Sequence, residues 1–179
     1  MSTEEYVSVA IREFEKMKLL ADRAIDQLSP EYFFTAPSEG DNSVGVILKH
    51  VGGNLLSRWT DFLSSDGEKP NRRRDSEFVI LPEDSRESLL ARWETGWAAL
   101  FTALQPLRDS DLARIVTVRG EPLTVLQAIN RQLTHYPYHV GQIVYLAKHF
   151  SGAGWKSLSI PVGKSEQFNQ APSSYLGKT

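Results

Sequence analysis

Two of the four histidines, His135 and His139, stand four residues apart. On a helix that spacing puts both imidazoles on one side with about 6 Å between their Cβ atoms, a separation that suits one metal ion. A third ligand then has to come from another segment, and His50, which flanks the apolar positions Val44, Ile47 and Val51, is the candidate. His149 lies ~15 Å further along the same helix as His139 and cannot share the ion. A bare HxxxH also arises where imidazoles merely pack or hydrogen-bond, so the spacing alone leaves both readings open. The neighbours add weight: Pro137 sits between the paired histidines, Gly141 follows them, and Gly52-Gly53 follows His50. An interior Pro costs a helix about 3 kcal/mol and each Gly about 1 kcal/mol relative to Ala. Such departures from propensity concentrate at functional sites, although close helix packing also accounts for glycines.

Three neutral imidazoles leave a divalent ion at least one open position, the arrangement of a catalytic centre. Water there has its pKa lowered toward ~7 and a thiol is deprotonated, so hydrolysis and thiol transfer are served equally. Asn54, one turn beyond His50, and Gln142, one turn beyond His139, are the nearest polar groups to support the ligands; simple hydrogen bonds between helices are the alternative role. The run Arg72-Arg73-Arg74 is either a solvated loop or a grip for the carboxylate of a substrate or thiol cofactor, with Arg72, Arg74 and, more remotely, Lys164 as the contacts.

Four amphipathic segments can position these residues. Val7, Ala10, Phe14, Met17, Ala21, Ala24 and Leu28 keep a steady three-four rhythm, which predicts a helix over about 3–28. Val44 to Phe62 continues the pattern over about 43–64 behind a Ser43 cap, and Leu90, Trp93, Trp97, Leu100 and Leu104 carry it over about 84–105, with Asp84 and Glu87 as the capping pair. Pro122 suits a first helical position, and Leu126, Ile129, Leu133, Tyr136, Val140, Ile143, Ala147 and Phe150 predict a helix over about 122–150. Four such stripes bury best against one another, so the expected fold is an all-α four-helix bundle. The connection after the second helix is long enough to cross the bundle, which leaves helix order open. ARIVTV, from Ala113 to Val118, suggests a short strand or hairpin. The tail from 151 to 179 lacks a helical period but contains Trp155, Leu158, Ile160 and Phe168, so it is expected to pack on the bundle. Tyr138 and Tyr145 fall on the outward side of the last helix and call for a cover, either the tail or a second copy in a homodimer.

Composition narrows the classes. The chain has 179 residues with 41% hydrophobic and 23% charged content, the proportions of a single soluble domain spanning 1–179. Twenty Lys and Arg against 22 Asp and Glu give a net charge of -2, which offers no basic excess for nucleic acid or an anionic membrane. The absence of Cys excludes disulfides, thiolate metal sites and cysteine nucleophiles. No signal peptide or membrane-length apolar run is visible, so a cytoplasmic location is expected.

His50 on a second helix, together with His135-x-x-x-His139 and the following Gly141-Gln142-Ile143, resembles the DinB/YfiT-like superfamily of metal-binding four-helix bundles. More narrowly, KPNRRRDSEF, RGEPLTVLQ and WKSLSIPVGKSEQFN are similar to blocks of a bacterial subfamily classified as a domain of unknown function. The resemblance implies a bundle with an unusual crossing connection and a nickel or zinc ion on His50, His135 and His139. It further implies a low-molecular-weight thiol such as bacillithiol as cofactor, because characterised relatives are thiol S-transferases and a mycothiol-dependent isomerase. Pro137 and Val140 depart from the pattern; an Arg often occupies the latter position. The expected function is therefore a metal-dependent transferase or isomerase, with a metal-assisted hydrolase or a non-enzymatic metal-binding bundle as alternatives.

Overall fold

A computed structural model describes residues 5–170, which are mostly helical with one small sheet. The long helices are α1 (Tyr6–Ile25), α2 (Val44–Trp59), α3 (Arg86–Leu104) and α4 (Val125–Ser151); a short α5 (Ser165–Gln170) lies in the tail. Strands β1 (Ile115–Val118) and β2 (Glu121–Thr124) pair antiparallel, Ile115 opposite Thr124. Among the described residues no helix is long and apolar enough to cross a membrane.

Caps set the helix ends. The Ser43 side chain accepts from the Val46 amide and starts α2. That helix stops at Trp59, short of the expected 64, and Asp61 takes a left-handed φ of 48° just beyond it. For α3 the cap is Ser85, exchanging hydrogen bonds with Ser88. The expected capping residue, Asp84, is engaged elsewhere, by Lys49 Nζ at 2.5 Å and the Leu81 amide at 2.7 Å. Pro122, expected to open the last helix, instead lies in β2 opposite Thr117. Thr124 and Gln127 form the capping box of α4. The expected start of α1 near residue 3 falls outside the described residues.

The four long helices share one core in which Phe14, Trp93, Trp97 and Tyr136 are fully buried. The closest helix pairs are α2 with α3 and α1 with α4, followed by α2 with α4 and α1 with α3. Directions follow from contacts along their lengths. Gly52 meets Arg92 and Leu55 meets Gly96, so α2 and α3 run parallel. Tyr6 pairs with Asn130, Phe14 packs on Tyr136 and Gln27 bonds Ser151, so α1 and α4 are parallel too. Adjacent parallel helices oblige the chain between them to travel back along the first, which accounts for the long 60–85 connection. A 3-10 turn at Arg74–Phe78 within that connection packs on α2.

The β1–β2 turn consists of Arg119 and Gly120, both with positive φ (56° and 74°), the combination that suits a two-residue hairpin. Trp155 and Leu158 of the tail rest on the core, and the Gln27 side chain bonds the Lys156 backbone in both directions. The described part of the tail, to residue 170, therefore meets the C-terminal end of α1 and does not cover Tyr138 and Tyr145, which are 64% and 68% exposed. Residues 171–179 of the expected tail lie outside the described residues.

Candidate metal centre

His50 on α2 and His135 and His139 on α4 meet where these two helices pack, with ring centroids 4.8 to 5.7 Å apart. One nitrogen from each lies within 4.8 Å of the others, and together the three can hold a metal ion. His135 Nε2 and His139 Nε2 stand 3.1 Å apart. Two nitrogens bound at ~2.1 Å to one tetrahedral or octahedral ion stand about 3.0 to 3.4 Å apart, so this pair already has the spacing of joint ligands.

The other nitrogen of each ring faces an oxygen. His50 Nδ1 is 3.0 Å from Glu77 Oε2, His135 Nδ1 is 3.1 Å from Gln132 Oε1, and His139 Nδ1 is 2.9 Å from Gln142 Oε1. A carboxylate only accepts, so His50 donates from Nδ1 and keeps its Nε2 lone pair free. If His135 and His139 donate in the same way, their Nε2 lone pairs face each other at 3.1 Å, and a cation between them would relieve the repulsion. A proton is a poor candidate. Burial, then the His139 and His50 charges, pushes His135 down to about 3, and burial likewise lowers His139.

Glu77 was not singled out from sequence, yet it organises this wall. It is 2% exposed and accepts from Arg72 Nε at 2.9 Å and Arg72 Nη2 at 2.8 Å as well as from His50. Burial would raise its pKa, but the His50 and Arg72 bonds outweigh that and hold it below the usual carboxylate range. Gly53 makes room for it, because a Cβ there would overlap Glu77 Oε1. Gly52 instead admits the backbone of Arg92 on α3, 3.3 Å from where its Cβ would stand. The adjacent glycines thus serve two purposes, one for the site and one for helix packing. Gly141 has open space around its absent Cβ.

Of the remaining candidates, Gln142 supports His139, while Asn54 accepts from the Tyr136 hydroxyl at 3.1 Å rather than from a histidine. Tyr136 OH in turn accepts from Trp59 Nε1 at 3.0 Å, and burial raises its pKa, so it stays protonated. Arg72 lies at the site but is committed to Glu77 and Glu68, which makes it a brace for the wall and not a free grip. Arg74 lies over the Phe78 ring at 5.1 Å, and Phe78 itself is 4.7 Å from His50. Lys164 lines a separate cavity with Arg23 and Asp26 and is not brought to the histidines. Gln132 was detectable in principle: it precedes His135 by three residues on the buried stripe of α4, mirroring Gln142 after His139.

Residues 1–164 match the model of a family described as "Protein of unknown function (DUF1572)". The chain belongs to that family. No curated protein and no solved structure matches it. In this DUF1572 chain the matched region takes in all three histidines, Glu77, and both supporting glutamines.

Proposed function

We propose that this chain is a divalent-metal-dependent enzyme of the DinB-like superfamily. In this reading the four long helices form a metal-binding four-helix bundle, His50, His135 and His139 hold nickel or zinc, and the reaction transfers or rearranges groups with a low-molecular-weight thiol such as bacillithiol. The observation that carries it is the convergence of three imidazoles, each steadied by an oxygen at its other nitrogen, beside an open cleft of about 480 Å³. A divalent ion held by three neutral nitrogens supplies an open position that lowers the pKa of an arriving water or thiol.

The chain's own residues do the positioning. Glu77 keeps the His50 proton on Nδ1, and Gln132 and Gln142 do the same for their partners. Tyr136, Trp59 and Asn54 satisfy one another beneath the rings and close the floor against the core. With no Cys in the sequence, a thiol nucleophile has to arrive as a second substrate, which fits a small free thiol. The same reading makes the protein a cytoplasmic homodimer, in which a second copy covers Tyr138 and Tyr145.

Elemental analysis of the purified protein, followed by a thiol-transfer assay with and without chelator, tests this. About one nickel or zinc per chain is expected, with turnover lost on chelation and in His139→Ala while helical circular dichroism is retained. Metal-free protein that retains full thiol-dependent turnover would refute it.

A further inference from the structure

We infer that the cleft beside His50 and His135 is an anion site, in which Arg74, Arg119 and Arg131 grip the carboxylate or phosphate of a small-molecule substrate. The inference rests on the metal reading only for what the other end of that substrate meets.

Five arginines, Arg58, Arg72, Arg74, Arg119 and Arg131, line the cleft beside His50 and His135, and no Asp or Glu does. This concentration stands against a net charge of -2 for the whole chain. Two of the five serve the fold. Arg72 is bound to Glu77 and Glu68, and Arg58 gives Nη1 to Glu68 at 2.8 Å and to the Gly67 carbonyl; both side chains are buried. Glu68 and Glu77 lie behind the wall and offset those two charges. The other three arginines are exposed and poorly neutralised. Arg119 reaches Glu68 only at 3.4 Å, Arg74 has the fully exposed Asp75 at 3.8 Å, and Arg131 has no ion-pair partner among the described residues.

Three separate elements bring these side chains together. Arg74 comes from the crossing connection and Arg131 from α4, one turn before His135 and therefore on the same side of the helix. Arg119 occupies the hairpin turn at a φ of 56°, a left-handed conformation that a long side chain seldom adopts. The Asp66 carboxylate holds that turn in place by accepting the Arg119 and Gly120 amides at 2.8 Å each. Surplus positive charge on a concave wall focuses the field into the cleft, and guanidinium forks match the oxygens of carboxylate and phosphate. The volume, about 480 Å³, is that of a small-molecule pocket.

The test titrates full-length protein, zinc-free and zinc-loaded, with inorganic phosphate and with succinate by calorimetry at constant ionic strength. Saturable binding of at least one probe is expected, and which one binds separates phosphate from carboxylate recognition. Arg74→Gln, Arg131→Gln and Arg119→Asn, the last chosen because Asn tolerates the left-handed turn, should each weaken binding about tenfold. Lys164→Gln, outside the cleft, should leave it unchanged. No saturable binding of either probe to folded protein, or an equal loss in Lys164→Gln, overturns the inference. Zinc titration in the same series keeps the two readings apart: anion binding without zinc binding sinks only the metal site, and zinc binding without anion binding sinks only the anion site.

Discussion

Replacing Glu77 by Gln removes one charge and changes almost no volume, which isolates what the carboxylate does for His50. In the structure Oε2 accepts from both His50 Nδ1 and Arg72 Nη2, and Oε1 accepts from Arg72 Nε. Gln has one oxygen. Placed at the Oε2 position it preserves both of those bonds and turns its amide nitrogen against Arg72 Nε–H; placed the other way it sets N–H groups against both His50 and Arg72. The first arrangement is therefore adopted, at the cost of one charge-assisted hydrogen bond, about 1.5 to 3 kcal/mol of stability. His50 keeps its tautomer but loses the negative charge beside its ring. Such partners of metal-binding histidines govern affinity by about 10–100-fold, and since the hydrogen bond survives here the expectation is the lower end, about tenfold or ~1.4 kcal/mol. Competition between the protein and a zinc chelator measures the affinity, and urea unfolding of the zinc-free protein measures the stability. A variant that loses the stability but binds zinc within twofold of wild type would show that Glu77 braces the connection and leaves the metal ligand untuned.

Gly141→Ala, with open space at its Cβ, should stabilise the protein by about 0.5–1 kcal/mol in urea unfolding, whereas Gly53→Ala, which pushes on Glu77, should lower both stability and zinc affinity. Equal stabilisation by both would contradict the packing described. The amides of Glu68, Gly120 and Arg119 hold the Asp66 carboxyl below its ordinary value of 3.8. A folded pKa below the unfolded one means that Asp66 contributes stability above about pH 4, which is lost as pH falls through the folded value. Asp66→Asn should flatten the stability loss between about pH 4 and 2. An unchanged slope in urea midpoints across that range would remove Asp66 as its source. Sedimentation should show concentration-dependent dimers for wild type and monomers for Tyr145→Glu; monomers at every concentration in both would refute the homodimer.

The existence of the four long helices was legible because a three-four rhythm of apolar residues is a local property, and most residues of those stripes are buried. Their ends were less so. Asp84 and Pro122 each carry a strong local signal for starting a helix, but a buried lysine claims one and a strand pairing claims the other. Burial on α4 also shifts to Val125 and Gln132, away from Leu126, which is 36% exposed.

At the site, His135 and His139 were bound to share a side because one helix carries both, and His50 was the one remaining histidine on a second stripe. Spacing could propose that trio; only the packing of α2 against α4 brings the rings within 5.7 Å. Glu77 was beyond reach of sequence, since it lies 27 residues from His50 in a segment without periodicity, and its approach depends on the absent side chain of Gly53. The arginines divide for the same reason. Their charge is fixed by sequence, but whether a guanidinium braces a wall or faces open space depends on which carboxylates the fold sets beside it, and that is a property of distance in three dimensions, not of order along the chain.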